Sequence, residues 1–195
     1  MENIVNEPAP KYNYISQQAY LEMERAALDK HEYYQGEIFA MSGASLKHNR
    51  VFTNLFGEIQ NKLKGKSCQP YSNDLRIHIP KNTLYTYPDI SIICGEVELT
   101  DDKFDTATNP IVIIELLSKS TRNYDRFEKF SLYREIASLK EYILIDTQKL
   151  HIEKHIRNAD NSWQLTDYYS ISDSITCSSV NVTVSLTDIY SGISF

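Results

Sequence analysis

Cysteine is scarce in this chain: Cys68, Cys94 and Cys177 are odd in number and widely spaced. That pattern builds neither a disulfide framework nor a Cys-x-x-Cys zinc site, so the three are expected to be reduced and structural. Long apolar runs are missing too. None approaches the roughly 20 residues that span a bilayer, and the opening Met-Glu-Asn-Ile-Val-Asn-Glu-Pro-Ala-Pro has neither a basic start nor an apolar signal core. A cytoplasmic protein is the expectation. Positive charge is in deficit, with a net charge of -6 and a pI near 5.4, so nothing global favours tight, unspecific nucleic-acid binding. A metal site is itself acidic, however, and a local basic patch can hold phosphate on an acidic surface. Internal repeats, low-complexity tracts and linkers are also absent.

What is present is one core's worth of apolar residues: 195 residues, 42% hydrophobic. Residues 1–14 hold two prolines and no apolar period and are expected to be a loose lead-in to a single domain over 15–195. Ser16 is placed to cap a helix from Gln17 to about Leu28, and a Gln35-Gly36 turn divides two short strands around Tyr33–Met41. Val51, Phe52, Leu55, Phe56, Ile59 and Leu63 recur at helical spacing, which predicts a helix from about Leu46 to Leu63 with Gly65 at its C-terminal end. Asp74 to Ile79 alternates polar with apolar and predicts a half-exposed strand. Strands are predicted at Tyr87–Cys94, Ile111–Leu117, Glu141–Asp146, Leu150–Ile156, Trp163–Tyr169 and Val180–Leu186, and a helix at about Tyr124–Ile136 with Phe127, Phe130, Tyr133 and Ile136 inward. This mixed order implies an α/β sheet domain.

Glu115 interrupts an otherwise apolar strand, and an ionised carboxylate is costly to bury alone. A salt bridge or a capping contact at the strand end is one explanation. Asp89 offers another: it follows Pro88 at the start of a second apolar strand, 26 residues earlier, so two acids at core strand ends can converge on one cation. Magnesium and manganese take carboxylate, carbonyl and water oxygens, which Asp89, Glu115 and the neighbouring backbone carbonyl of Leu116 can supply. Such an ion can hold a phosphate and activate water, with a nearby cation offsetting the developing charge. Both carboxylates are expected to be ionised at neutral pH, so that the metal-free cleft repels a polyanion.

The ordered set Gly36-Glu37, Pro88-Asp89, Ile113-Ile114-Glu115-Leu116-Leu117-Ser118-Lys119-Ser120-Thr121-Arg122, Tyr124-Asp125-Arg126, Glu128-Lys129-Phe130, Tyr133 and Glu141-Tyr142 resembles the Uma2 family of restriction-endonuclease-like proteins, over about residues 15–190. The resemblance implies a PD-(D/E)XK fold, an α/β core of a mixed central β-sheet flanked by helices, with extra strands. It implies Asp89 as the motif aspartate and Glu115 as the following acid. Leu117 stands where the motif lysine belongs, and the resemblance points to Lys129 on the following helix as its replacement, with Lys119 as the rival. Glu37 matches the family's Gly-Glu pair, as a third carboxylate or a positioner of water. His48 matches a family position suited to proton transfer or phosphate contact. Asp74 fits an Asp-Leu-Arg strand, where a surface charge is the alternative.

Arg122 and Arg126, with Lys119, Lys129 and Arg134, form a local cationic group suited to gripping phosphate; interleaved acids Asp125, Glu128 and Glu135 also suit a solvated, paired helix face. The leading function is a Mg2+- or Mn2+-dependent endonuclease hydrolysing DNA. The alternative is a non-catalytic nuclease-fold protein for nucleic-acid binding or assembly, favoured by Leu117. A glycosidase with paired carboxylates ranks third, since the flanking cations suit phosphate. A homodimer is expected by analogy with enzymes that cut both strands.

Overall fold

The computed structural model describes residues 14–118 and 122–195. The lead-in, apart from Tyr14, and Lys119 lie outside the described residues. A six-stranded sheet forms the centre, in the order β11 (Trp163–Tyr168), β10 (Ile152–Arg157), β9 (Glu141–Asp146), β8 (Val112–Leu117), β6 (Ile90–Cys94) and β3 (Cys68–Ser72). β8 and β9 run parallel and the other neighbours antiparallel, so the sheet is mixed, as expected. A second sheet has the order β2 (Glu37–Ala40), β1 (His31–Tyr34), β5 (Leu84–Thr86), β4 (Arg76–Ile79) and β7 (Thr106–Ala107).

Helices cover both faces of the central sheet, because its strands are apolar on both sides. On one face α2 (Leu46–Leu63) lays Val51, Leu55, Ile59 and Leu63 over Ile90, Ile92, Val112, Ile114 and Ile143. The hairpin of β12 (Ser174–Cys177) and β13 (Val182–Ser185), with the short α4 (Leu186–Ile189), completes that layer. On the other face Ile113, Leu117, Tyr142 and Leu144 pack against Tyr133, Ile136 and the second sheet's Ile77, Ile79 and Leu84. The remaining helix, α1 (Gln17–Ala26), buries Tyr20 against Tyr33 and Tyr85. The β1–β2 turn has positive φ at both Gln35 and Gly36, +48° and +94°, as a tight right-twisting hairpin needs. A Cβ at Gly36 would come within 2.3 Å of the Tyr14 ring, so glycine is required there on packing grounds too.

Three expectations about the fold need correction. Cys68 and Cys94 are not reduced: the β3–β6 register sets them opposite one another and their sulfurs are bonded, while Cys177 stays free and buried. Spacing alone could not reveal a pairing made by strand register. The Asp74–Ile79 segment is not half-exposed either, since β4 is buried along its whole length. Arg76 is satisfied by Thr106, Tyr87 and Asp105, and His78 lies against the Leu84 carbonyl. Its neighbour Asp74 is a surface charge paired with Lys30.

The third correction concerns the helix after β8. Tyr124–Lys129 is a π-helix, followed by one α-turn at Phe130–Tyr133, named α3 here. The Tyr142 hydroxyl donates to the Asp125 carbonyl at 2.9 Å, the acceptor that an α-helix would offer to the Lys129 amide. The wider π turn changes the phase of the stripe. Asp125 and Lys129 turn inward, and Phe127, expected in the core, is 70% exposed. Strands β3, β5, β7 and β12 carry no expectation from the sequence.

Candidate active site

Adjacent strands β6 and β8 pair antiparallel with Ile90 opposite Ile114, Ser91 opposite Ile113 and Ile92 opposite Val112. Continuing that register by one residue sets Asp89 opposite Glu115, and opposed residues stand about 5 Å apart at Cβ. Alternation then puts both acids on the face that carries Ile93, Ile113 and Leu117, beneath the π-helix. The contacts agree: the Asp89 amide donates to Glu115 Oε2 at 3.3 Å, and the Leu116 amide donates to Asp89 Oδ2 at 2.7 Å. Two carboxylates are thereby locked together at the floor of a cleft of about 960 Å3.

Lys129 comes to this pair from the π-helix, with Nζ 3.2 Å from Glu115 Oε1, 3.0 Å from Glu32 Oε1 and 3.6 Å from Asp125 Oδ1. The Tyr133 hydroxyl donates to Glu115 Oε1 at 2.8 Å, and Thr86 Oγ1 donates to Glu32. His48, in the first turn of α2, brings Nε2 within 3.2 Å of Asp89 Oδ1. Among the described residues the cleft is lined by six acids, Asp29, Glu32, Asp89, Glu115, Asp125 and Glu128, against two lysines, Lys30 and Lys129.

The electrostatics follow from burial. Glu115 is 4% exposed, and desolvation pushes its carboxyl up to about 8, a rise that the Lys129 ammonium offsets only in part. Glu115 therefore holds a proton more readily than an exposed glutamate does. Burial acts the opposite way on Lys129, but the surrounding Glu115, Tyr133, Glu32 and Asp125 outweigh it and hold the ammonium well above its ordinary range.

Other sequence candidates fall elsewhere. Glu37 lies at the hairpin tip, exposed and outside the cleft lining; Glu32, on the same face of the hairpin but further from the turn, is the carboxylate that reaches Lys129. Arg122 pairs with the buried Asp146 at 3.0 Å and Arg126 with Glu153 at 2.7 Å, so neither lines the cleft. Arg126 and Glu153 adjoin His151 and Asp167, and His151, Glu153 and Asp167 hold potential ligand atoms within 4.8 Å of one another. Sequence reasoning missed Glu32, Tyr133 and Asp125 as members of the site. The signal for Glu32 is its alternation with Tyr34 on a strand that begins at His31, two residues before the expected Tyr33; Asp125 lies on a helix face expected to be solvated, which the π turn rotates inward.

A mixed central sheet flanked by helices, with two acids paired at neighbouring strand ends, is the arrangement that the resemblance to restriction-endonuclease-like proteins implied. The chain belongs to the Uma2 family: the family's profile, described as "Putative restriction endonuclease", matches residues 17–187. It is similar to two proteins of Synechocystis, each named as an uncharacterized protein. One, slr1290, is 32% identical over 98% of this chain and 100% of its own length; the other, sll1609, is 36% identical over 76% and 84%. The fold matches the crystal structure of a "putative nuclease belonging to DUF820" from Anabaena variabilis with a TM-score of 0.74, at 16% identity, over 91% of this chain and 98% of that one. Among the described residues no helix is long and apolar enough to cross a membrane.

Proposed function

We propose that this chain is a divalent-metal-dependent phosphodiesterase acting on DNA, with Asp89 and Glu115 as metal ligands and Lys129 in place of the absent motif lysine. The observation that carries it is the pairing of Asp89 with Glu115 across β6 and β8 at the floor of a cleft, with the Lys129 ammonium 3.2 Å from Glu115. The donor set fits a hard cation: two carboxylates stand beside the Leu116 backbone, and the His48 imidazole at the edge of the site is engaged by Asp89. Magnesium or manganese bound there supplies Lewis acidity toward a phosphoryl oxygen and makes water a stronger acid.

The protein's own groups do the positioning. Tyr133 and the Asp89 amide orient the two oxygens of Glu115, and the Leu116 amide fixes Asp89. Lys129, held by Glu115, Glu32 and Asp125, keeps a proton and a positive charge where negative charge builds on a scissile phosphate. His48, hydrogen-bonded to Asp89, is within reach to hold or pass a proton at the edge of the site. Glu32 takes the third-carboxylate role expected of Glu37. Arg122 and Arg126, engaged with Asp146 and Glu153, are assigned no part in gripping phosphate. The test is incubation of the purified chain with supercoiled plasmid and manganese, magnesium or chelator, beside Asp89→Asn and Lys129→Met. Metal-dependent nicking lost in both variants supports the reading; nicking by neither metal, or equal nicking by the variants, sinks it.

A further inference from the structure

We infer that the cleft receives an unpaired DNA strand, with a base stacked on Phe39, in preference to intact duplex; this rests on the phosphodiesterase reading above. The β1–β2 register places Phe39 directly opposite Glu32, so its side chain stands on the cleft face of the hairpin, one cross-strand neighbour from the carboxylate that holds Lys129. The alternate residues Tyr33 and Ile38 face the opposite way, into the cluster with Tyr20 and Tyr85. Phe39 is 45% exposed and lines the cleft together with Met41 and a fully exposed Leu28. An aromatic ring there contributes little to the core, but it offers a face for stacking beside the acid cluster, and stacking is tolerant of base identity.

The charges argue in the same direction. Duplex binding draws on many phosphate contacts from free lysines and arginines. Among the described residues, the lysines that line this cleft are engaged, Lys129 by three carboxylates and Lys30 by Asp74 and the Asn73 carbonyl. The arginines nearest in sequence turn away to Asp146 and Glu153. Affinity must then come from base contacts more than from backbone charge, and a base buried in a duplex stack has no free face to offer. The cleft volume of about 960 Å3 is that of a pocket for a few unpaired nucleotides rather than of an open duplex groove.

The experiment compares initial cleavage rates, with manganese, of a fluorescein-labelled oligonucleotide alone and annealed to its complement, beside hydrolysis of bis(p-nitrophenyl) phosphate. The single strand is expected to be cut at least about tenfold faster, and Phe39→Ala to raise KM for it about tenfold with a smaller change in kcat. Phe39→Trp should restore KM, because the role is stacking, and thermal melts of both variants should match the parent since the ring is exposed. Equal or faster cutting of duplex, or an unchanged KM in Phe39→Ala, overturns the inference while hydrolysis of the small diester leaves the phosphodiesterase reading standing. Failure to hydrolyse any of the three substrates overturns both.

Discussion

Replacing Glu115 by glutamine should abolish a pH dependence of folding stability that the buried carboxyl creates. Burial raises Glu115 from the ordinary 4.5 to about 8. The folded state therefore binds a proton more tightly than the unfolded chain. Its contribution is fully present below pH 4.5 and is lost as pH rises through 8. Between those two limits the wild type loses stability at up to about 1.4 kcal/mol for each pH step of one. His78 and His155 tilt the profile the other way below about pH 6.5, because burial lowers both and favours their neutral forms. The difference between wild type and Glu115→Gln isolates the carboxyl. Urea denaturation at a series of pH values from about 5 to 9 should find the variant's advantage growing with pH by up to about 1.4 kcal/mol for each pH step of one. Excess magnesium should recover the lost stability of wild type at high pH, where binding displaces the last of the proton, and do nothing for the variant. A difference curve flat over pH 5 to 9 would refute the claim that Glu115 is held protonated by burial.

Lys129→Met should cut metal-dependent cleavage by about 100- to 1,000-fold. It leaves Glu32 and Asp125 without their cation and should also cost about 3 to 5 kcal/mol in a denaturant titration at neutral pH. Glu37→Ala, at an exposed hairpin tip, should change stability by less than about 0.5 kcal/mol and leave nicking of plasmid intact. Glu32→Gln, by contrast, should weaken nicking while lowering the melting temperature, since Thr86 and Lys129 both lose a charged partner. Reduction of Cys68–Cys94, which closes a separation of 26 residues, should lower stability by about 3.5 kcal/mol, and dithiothreitol should have no such effect on Cys68→Ser.

The amino-acid sequence by itself determined the helix Leu46–Leu63, because a stripe spaced by three and four has one consistent burial, and it determined that Glu115 sits within a core strand, because an acid amid an apolar run is locally visible. It pointed to Asp89 for the same reason, through the proline that opens β6. What it could not contain was register. That Asp89 meets Glu115 and that Cys94 meets Cys68 are each decided by which strands pair and at what offset, a property of the assembled sheet rather than of any window along the chain. The inward turn of Lys129 and Asp125 depends on the Tyr142 hydroxyl reaching across from β9 to take the Asp125 carbonyl, so helical periodicity misplaced Phe127 and called Asp125 solvated. Arg122 and Arg126 read as a phosphate grip only while their partners were unknown; tertiary packing brings them Asp146 and Glu153, and a charge already paired with an acid has little left to offer a phosphate.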